Sequence, residues 1–275
     1  MAKIICVVDN EALIDSNLNS EHGLSFWIET EDGNILFDSG QTAAALAHNL
    51  ARLGLSPGDI DGLVLSHAHS DHTGGLEVVL SKNTRLTLFA HADVFRPRYA
   101  LRKGAYESIG LALEQADLAR RVQVKLSDTP LEILPNLWTT GDIYERLEPE
   151  GSGAHLFIRG GDGWQPDPYR DDLSLVLKTP AGLVLICGCC HAGILNVLYH
   201  VERTFSAPII AVIGGTHLVS ADDPALEHVI QVLNERFPNL TFYLNHCTGK
   251  PAFKKLVDSF GSRVNPCPAG TVVNF

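Results

Sequence analysis

The chain has 275 residues, of which 45% are hydrophobic and 19% charged, with a formal net charge of −11. That length suits one large α/β domain, and the acidic balance, with no basic run, argues against a nucleic-acid partner. No stretch of 18 or more apolar residues is present and the first residues lack a signal-peptide core, so a membrane span is not expected and a cytoplasmic location is the default.

In chain order, GLSFWIET (23–30) and NILFDSG (34–40) read as two strands of a hairpin turning at Asp32-Gly33. Residues 42–53 are rich in helix formers and Gly54 stands where a helix would stop. A short buried strand around Leu63, Val64 and Leu65 runs into HAHSDHTGGL, and RLTLFA (85–90) is a further strand. A helix is expected at about 108–121. The Gly-, Pro- and Asp-rich stretch 151–172 reads as a long loop or small hairpin covering a site. DLSLVLKT and GLVLICGC form a second hairpin turning at Pro180-Ala181-Gly182, followed by a helix over ILNVLYHVERTF and a strand, IIAVIGG. Asp223-Pro224 opens an amphipathic helix with Leu226, Val229, Ile230, Leu233 and Phe237 on one face. The strand TFYLN then ends in His246-Cys247.

The second half echoes the first. Asp38 and His67 are 29 residues apart, as are Gly188 and His217, and His91 follows its strand much as His246 follows TFYLN. Two similar strand-and-helix halves are expected within one domain spanning 1–275. The six cysteines form no paired CxxC knuckles, which excludes a zinc finger, and read as reduced, mostly buried thiols. There is no GxSxG elbow and no phosphate-binding glycine loop.

The sharpest signal is HAHSDH, with three imidazoles and one carboxylate in six residues directly after a buried strand. Imidazole and carboxylate are ligands of zinc-type ions. In an extended segment His67 and His69 point the same way, and a turn after Ser70 brings Asp71 and His72 to a neighbouring point. That arrangement suits two adjacent divalent metals with a nucleophilic water between them. Zinc is the first expectation, with manganese and iron open to the same donors. Asp38 either holds this loop through hydrogen bonds or is a turn residue; Asp171 and Asp172 either cap a hairpin or contact substrate. His22 and His246 either line the site or bind substrate, or are structural; His48, His200 and His228 are assigned surface or packing roles, and His91 and His155 stay open.

HAHSDHTGGL, with FDSG one unit upstream, resembles the HxHxDHxGG pattern of the metallo-β-lactamase superfamily. The resemblance covers most of the chain and implies a four-layer αβ/βα sandwich with metals at one edge of the two sheets. It implies that His67 and His69 serve one metal, Asp71 and His72 the other, and that His191 completes the first site and His217 the second. EHGLSFWIE, GCCHAGILN, IGGTHL and NHCTG resemble a branch that includes archaeal dihydropterin synthases and many metal-dependent hydrolases. One departure stands out: the superfamily's bridging Asp has Gly188-Cys189 in its place, so either the Cys189 thiolate or a water bridges. The implied function is metal-assisted hydrolysis of a small, phosphorylated or ester-type substrate. The alternatives are a pterin-type transferase and a non-catalytic metal or ligand sensor, and exposed apolar faces would support a homodimer.

Overall fold

The computed structural model describes residues 1–151 and 153–275, so Ser152, within the stretch 151–172, lies outside the described residues. The chain divides into two compact units: 1–128 with 154–171 and 268–275, and 129–153 with 172–267.

The first unit is built on a seven-stranded sheet. Strands Ser25–Thr30 and Gly33–Phe37 form the expected antiparallel hairpin. Its two-residue loop is Glu31-Asp32, one position earlier than the Asp-Gly reading, because Gly33 already pairs with Thr30. Phe37 then begins a parallel series: Gly33–Phe37, Gly62–Val64, Thr87–Ala90 and Gln123–Leu126 lie side by side in that order. Helix Ala43–Arg52 makes the first crossover, started by Thr42, whose hydroxyl accepts the Ala45 amide, and followed by Gly54 in the left-handed region. Strands Lys3–Val8 and Val272–Asn274 extend the other side of the sheet. Its core includes Leu36, Leu46, Leu50, Leu63, Leu65 and Leu88, each worth about 1.5–3 kcal/mol when fully buried.

A second, four-stranded antiparallel sheet belongs to the same unit. Hairpin Arg98–Arg102 with Ala105–Ser108 pairs with hairpin Leu156–Gly160 and Gly163–Pro166. The stretch 151–172 therefore contains the small hairpin allowed by its turn residues. The helix expected at 108–121 is reduced to Gln115–Ala119, since Ser108 is in strand and Leu118 alone of that helix is buried. A helix needs an apolar stripe to hold it, and this segment has none beyond one turn.

The second unit repeats the first unit's plan. Strands Leu175–Thr179 and Gly182–Cys187 form the antiparallel hairpin, and Gly182–Cys187, Ile209–Gly214, Thr241–Leu244 and Val264–Pro266 follow in parallel. Helix Ile194–Phe205 and helix Asp223–Arg236 are the expected crossovers. Asp222 caps the latter by accepting the Ala225 amide at 2.9 Å, and Leu226, Val229 and Leu233 face the core. Sequence reading missed the short helix Lys250–Phe260. All six cysteines are free thiols and buried, as expected. No helix among the described residues is long and apolar enough to cross a membrane.

The four-stranded sheet carries a buried ionic cluster at its first residue. Arg98 pairs with Asp93, Asp167 and Asp171 at 3.0, 2.7 and 2.7 Å. Burial pushes the Asp167 carboxyl up to about 6 from 3.8, against the pull of Arg98 and of the Tyr169 amide, and with the push of Asp171 and Asp93. A folded-state value above the unfolded one means that this group's stabilising share is present below about pH 3.8 and is lost as pH rises through about 6. Urea unfolding should therefore show the parent losing stability relative to Asp167→Asn between about pH 4 and about pH 6. A gap that stays constant over that span would contradict the assignment.

Candidate metal centre

The HAHSDH loop leaves strand Gly62–Val64 at its carboxyl end. His69 is extended and precedes a single helical turn, Ser70–Thr73, so the expected turn after Ser70 is present. His67, His69 and His72 are buried and their rings touch: centroids lie 4.6 Å apart for His67–His69 and 4.2 Å for His67–His72. Three imidazoles do not pack in this way without something to hold them, and for His67 and His72 the holding group is Asp38.

Asp38 is fully buried after strand Gly33–Phe37, with φ 60. Its Oδ1 accepts the Ser66 amide at 2.7 Å, and its Oδ2 accepts both the Ser66 hydroxyl and His72 Nδ1, each at 2.7 Å. Because the single Ser66 hydroxyl proton goes to Asp38, His67 Nδ1, 2.8 Å from Ser66 Oγ, must be the donor in that contact. Both tautomers follow. His67 and His72 each carry the proton on Nδ1 and offer Nε2 as a lone pair. Of the two roles that the sequence leaves open for Asp38, these bonds decide for the loop-holding one.

The ring nitrogens converge. His67 Nε2 and His69 Nδ1 are 3.1 Å apart, a separation suited to two nitrogens on one ion at about 2.0–2.1 Å. His72 Nε2 lies 3.8 Å from Asp71 Oδ2, which in turn lies 3.2 Å from His22 Nε2. The Asp71 carboxylate holds His22 above the ordinary imidazole range, outweighing the opposing effect of partial burial. Nitrogen and carboxylate donors in this set fit a zinc-type divalent ion. His22, Asp38, His67, His69, Asp71 and His72 are thus brought together in the first unit.

The other site residues selected from the sequence, Cys189, His191, His217 and His246, lie in the second unit, after the carboxyl ends of its strands. His191 and His217 are ring neighbours, with centroids 4.2 Å apart. Cys189 is buried after Gly182–Cys187, and its carbonyl accepts the Cys247 thiol at 3.5 Å. His246 is buried in a turn with φ 49. Asp172 holds this loop, accepting the Ala192 amide at 2.7 Å. His91 is a turn cap for the Asp93 amide, His200 bonds the Thr140 carbonyl and His228 pairs with Glu148.

Two features of the histidine loop escaped the sequence reading. Asp171 Oδ2 accepts the Ala68 amide at 2.8 Å, from a position 103 residues away. Ser66 sits one residue before the histidine run, where only its proximity marked it. The two glycines that close the motif have a steric reason: a Cβ on Gly74 would lie 1.9 Å from the Gln41 carbonyl oxygen, and one on Gly75 would lie 2.1 Å from that of Ser39. The motif's exit is pressed against the backbone that carries Asp38.

A model of the metallo-β-lactamase superfamily matches residues 19–189. The chain belongs to this superfamily. Tm1679, a protein of known structure described as a metal-dependent hydrolase of the β-lactamase superfamily, superposes with a TM-score of 0.85 at 25% identity over 100% of this chain and 99% of that one. The α/β metallo-β-lactamase fold is therefore shown. A 7,8-dihydropterin-6-methyl-4-(β-D-ribofuranosyl)-aminobenzene-5'-phosphate synthase of Methanocaldococcus jannaschii is 29% identical over 99% of this chain and 96% of its own length. An uncharacterized protein of the same archaeon is 32% identical over 93% of each. Zinc-bound PqqB of Methylobacterium extorquens shares the fold, with a TM-score of 0.61 at 9% identity over 99% of this chain and 100% of that one.

Two substitutions test this metallo-β-lactamase loop. Gly75→Ala should lower the melting temperature strongly, because the added methyl meets backbone that cannot yield. Asp38→Ala, in protein that still folds, should weaken any divalent-metal binding by this loop about 10–100-fold in a chelator competition, since both rings lose their fixed tautomer.

Proposed function

We propose that this chain is a metal-dependent hydrolase acting on a small phosphoester or other ester- or lactone-type substrate. The observation that carries the reading is the pair of Asp38-fixed imidazoles, whose Nε2 lone pairs stand beside His69 Nδ1 and Asp71 in a buried loop. His67, His69, Asp71 and His72 would hold the metal. A divalent ion there supplies Lewis acidity and lowers the pKa of a water from about 15.7 toward 7. The chain's own residues do the rest. Asp71 orients the attacking water and takes its proton at Oδ2. The His22 ring, favoured in its protonated form by the Asp71 carboxylate 3.2 Å away and with its side chain 66% exposed, releases a proton to solvent once Asp71 has taken one. The sequence expectation adds His191 and His217 to the ligands, two ions in all, with zinc preferred. The substrate partner is a phosphorylated small molecule, which the phosphate in the synthase's name supports.

A second reading is favoured by one observation: similarity to the synthase runs through almost the whole of both chains. On that reading the chain joins a dihydropterin diphosphate to a ribofuranosyl-aminobenzene phosphate with release of pyrophosphate, and the ion that His67, His69, Asp71 and His72 would hold would supply positive charge for the leaving group.

Metal content per chain, followed by turnover on phosphoester, lactone and dihydropterin substrates, separates these readings. Hydrolysis of a panel ester by the parent, lost with the metal in His67→Ala, supports the first. Pyrophosphate release that requires the aminobenzene acceptor supports the second and overturns the first. Bound metal with no turnover on any substrate would leave a sensor. His191→Ala and His217→Ala should each lower metal content, and unchanged stoichiometry would remove that residue from the ligand set. His22→Gln should keep the metal and slow turnover about 10-fold or more, the size of a modest proton-transfer contribution.

A further inference from the structure

Ala68 and Ser70 flank His69, and both amides are held from segments that follow strands of the four-stranded sheet. The Ala68 amide goes to Asp171 Oδ2 at 2.8 Å and the Ser70 amide to the Ile109 carbonyl at 2.7 Å. Followed outward, each contact reaches Arg98. Asp171 Oδ1 bonds Arg98 Nη2 at 2.7 Å, and the Ile109 amide donates to the Arg98 carbonyl at 2.9 Å. A third route touches the His69 ring itself. Tyr169 stands edge-on to it, with centroids 5.9 Å apart and planes at 87°. The Tyr169 amide bonds Asp167 Oδ1 at 2.9 Å, and Asp167 Oδ2 pairs with Arg98 Nε at 2.7 Å.

Arg98 is among the largest fully buried side chains, and its remaining guanidinium protons go to Asp93 and to the Arg96 carbonyl. The backbone packs close: a Cβ on Gly110 would lie 2.9 Å from the Arg98 amide nitrogen. A buried arginine among carboxylates is a poor device for stability alone, because desolvation offsets most of the attraction. Its planar fork does supply what a lysine cannot, namely two bonds of fixed direction to two different acids.

Resting on the metal-binding reading above, we infer that Arg98 is a positioning residue for the metal centre, fixing residues 68–70 so that His69 Nδ1 stays beside His67 Nε2. It touches neither ligand. It acts through Asp171, Asp167 with Tyr169, and Ile109.

The test uses the full chain and three substitutions. Arg98→Met should still fold, bind zinc about 10–100-fold more weakly in chelator competition, and show an altered visible band when loaded with cobalt(II). Arg98→Lys should restore part of the affinity, since it returns the charge without the fork. Ile4→Ala, in the buried strand Lys3–Val8, is the control: it lowers the melting temperature and leaves the affinity and the cobalt band as in the parent. A folded Arg98→Met with parent affinity and parent spectrum overturns the inference, as does a loss no larger than that of Ile4→Ala. Should Arg98→Met not fold, Asp171→Asn takes its place. It keeps an oxygen for the Ala68 amide and loses the charge that pairs with Arg98, and parent-like zinc binding in it is equally fatal. A parent that binds no metal overturns the metal reading, and this inference with it.

Discussion

One buried carboxylate organises the histidine run. Asp38 takes three hydrogen bonds on two oxygens, from the Ser66 amide, the Ser66 hydroxyl and His72 Nδ1. An ionised carboxylate out of water is costly unless its lone pairs are filled, and these bonds fill them. The same three bonds decide the protonation of two imidazoles, because a hydroxyl that donates to Asp38 can only accept from His67. Without this acid the rings of His67 and His72 could exchange tautomers, and the donor atoms would be right in kind but not in direction. The glycine pair after the run belongs to the same constraint: Gly74 and Gly75 lie so close to the Gln41 and Ser39 carbonyls that the strand end bearing Asp38 and the helical turn bearing His72 are effectively one piece.

The sheet supplies the place for this piece. In each unit an antiparallel hairpin hands over to parallel strands, and parallel strands joined by helical crossovers leave their carboxyl ends free for loops. Asp38, His67 and His91 follow successive parallel strands of the first unit, and Gly188, His217 and His246 follow those of the second. Their reach is not equal. His67 is a donor with a fixed tautomer, whereas His91 spends Nδ1 on the Asp93 amide and ends as a turn cap. Position at a strand end offers a residue to a site; the hydrogen bonds made by the rest of its ring decide whether it is available.

This explains which parts were legible in the sequence. The hairpins, the parallel strands and the crossover helices were readable because each rests on local signals: turn residues, short apolar runs, and a 3.6-residue stripe such as Leu226, Val229 and Leu233. The histidine run was readable because six adjacent residues carry it. The role of Asp171 was not, since its bond to the Ala68 amide spans 103 residues and nothing in the local sequence points to that partner. The hairpin Arg98–Arg102 with Ala105–Ser108 was hidden although its turn is local, because RYALR and AYES carry charged residues and so show no apolar run. The overreach at 108–121 is the converse error, helix-forming residues without an apolar face to anchor them.

The long-range contacts are also where the loop's rigidity originates. The ring of His69 is placed by the amides on either side of it and by the edge of Tyr169. A ligand held through its neighbours' backbone has as much freedom as those neighbours allow. A single turn, Ser70–Thr73, is too short to be rigid on its own, since helix formation gains little from one turn. The directional bonds at Ala68 and Ser70 replace the stiffness that a longer helix would have given. They end on segments that follow strands of the four-stranded sheet rather than on the seven-stranded one, so the loop is held from two sides. Asp38 fixes the rings of His67 and His72 from the first, and Asp171 with Ile109 fixes the backbone on either side of His69 from the second.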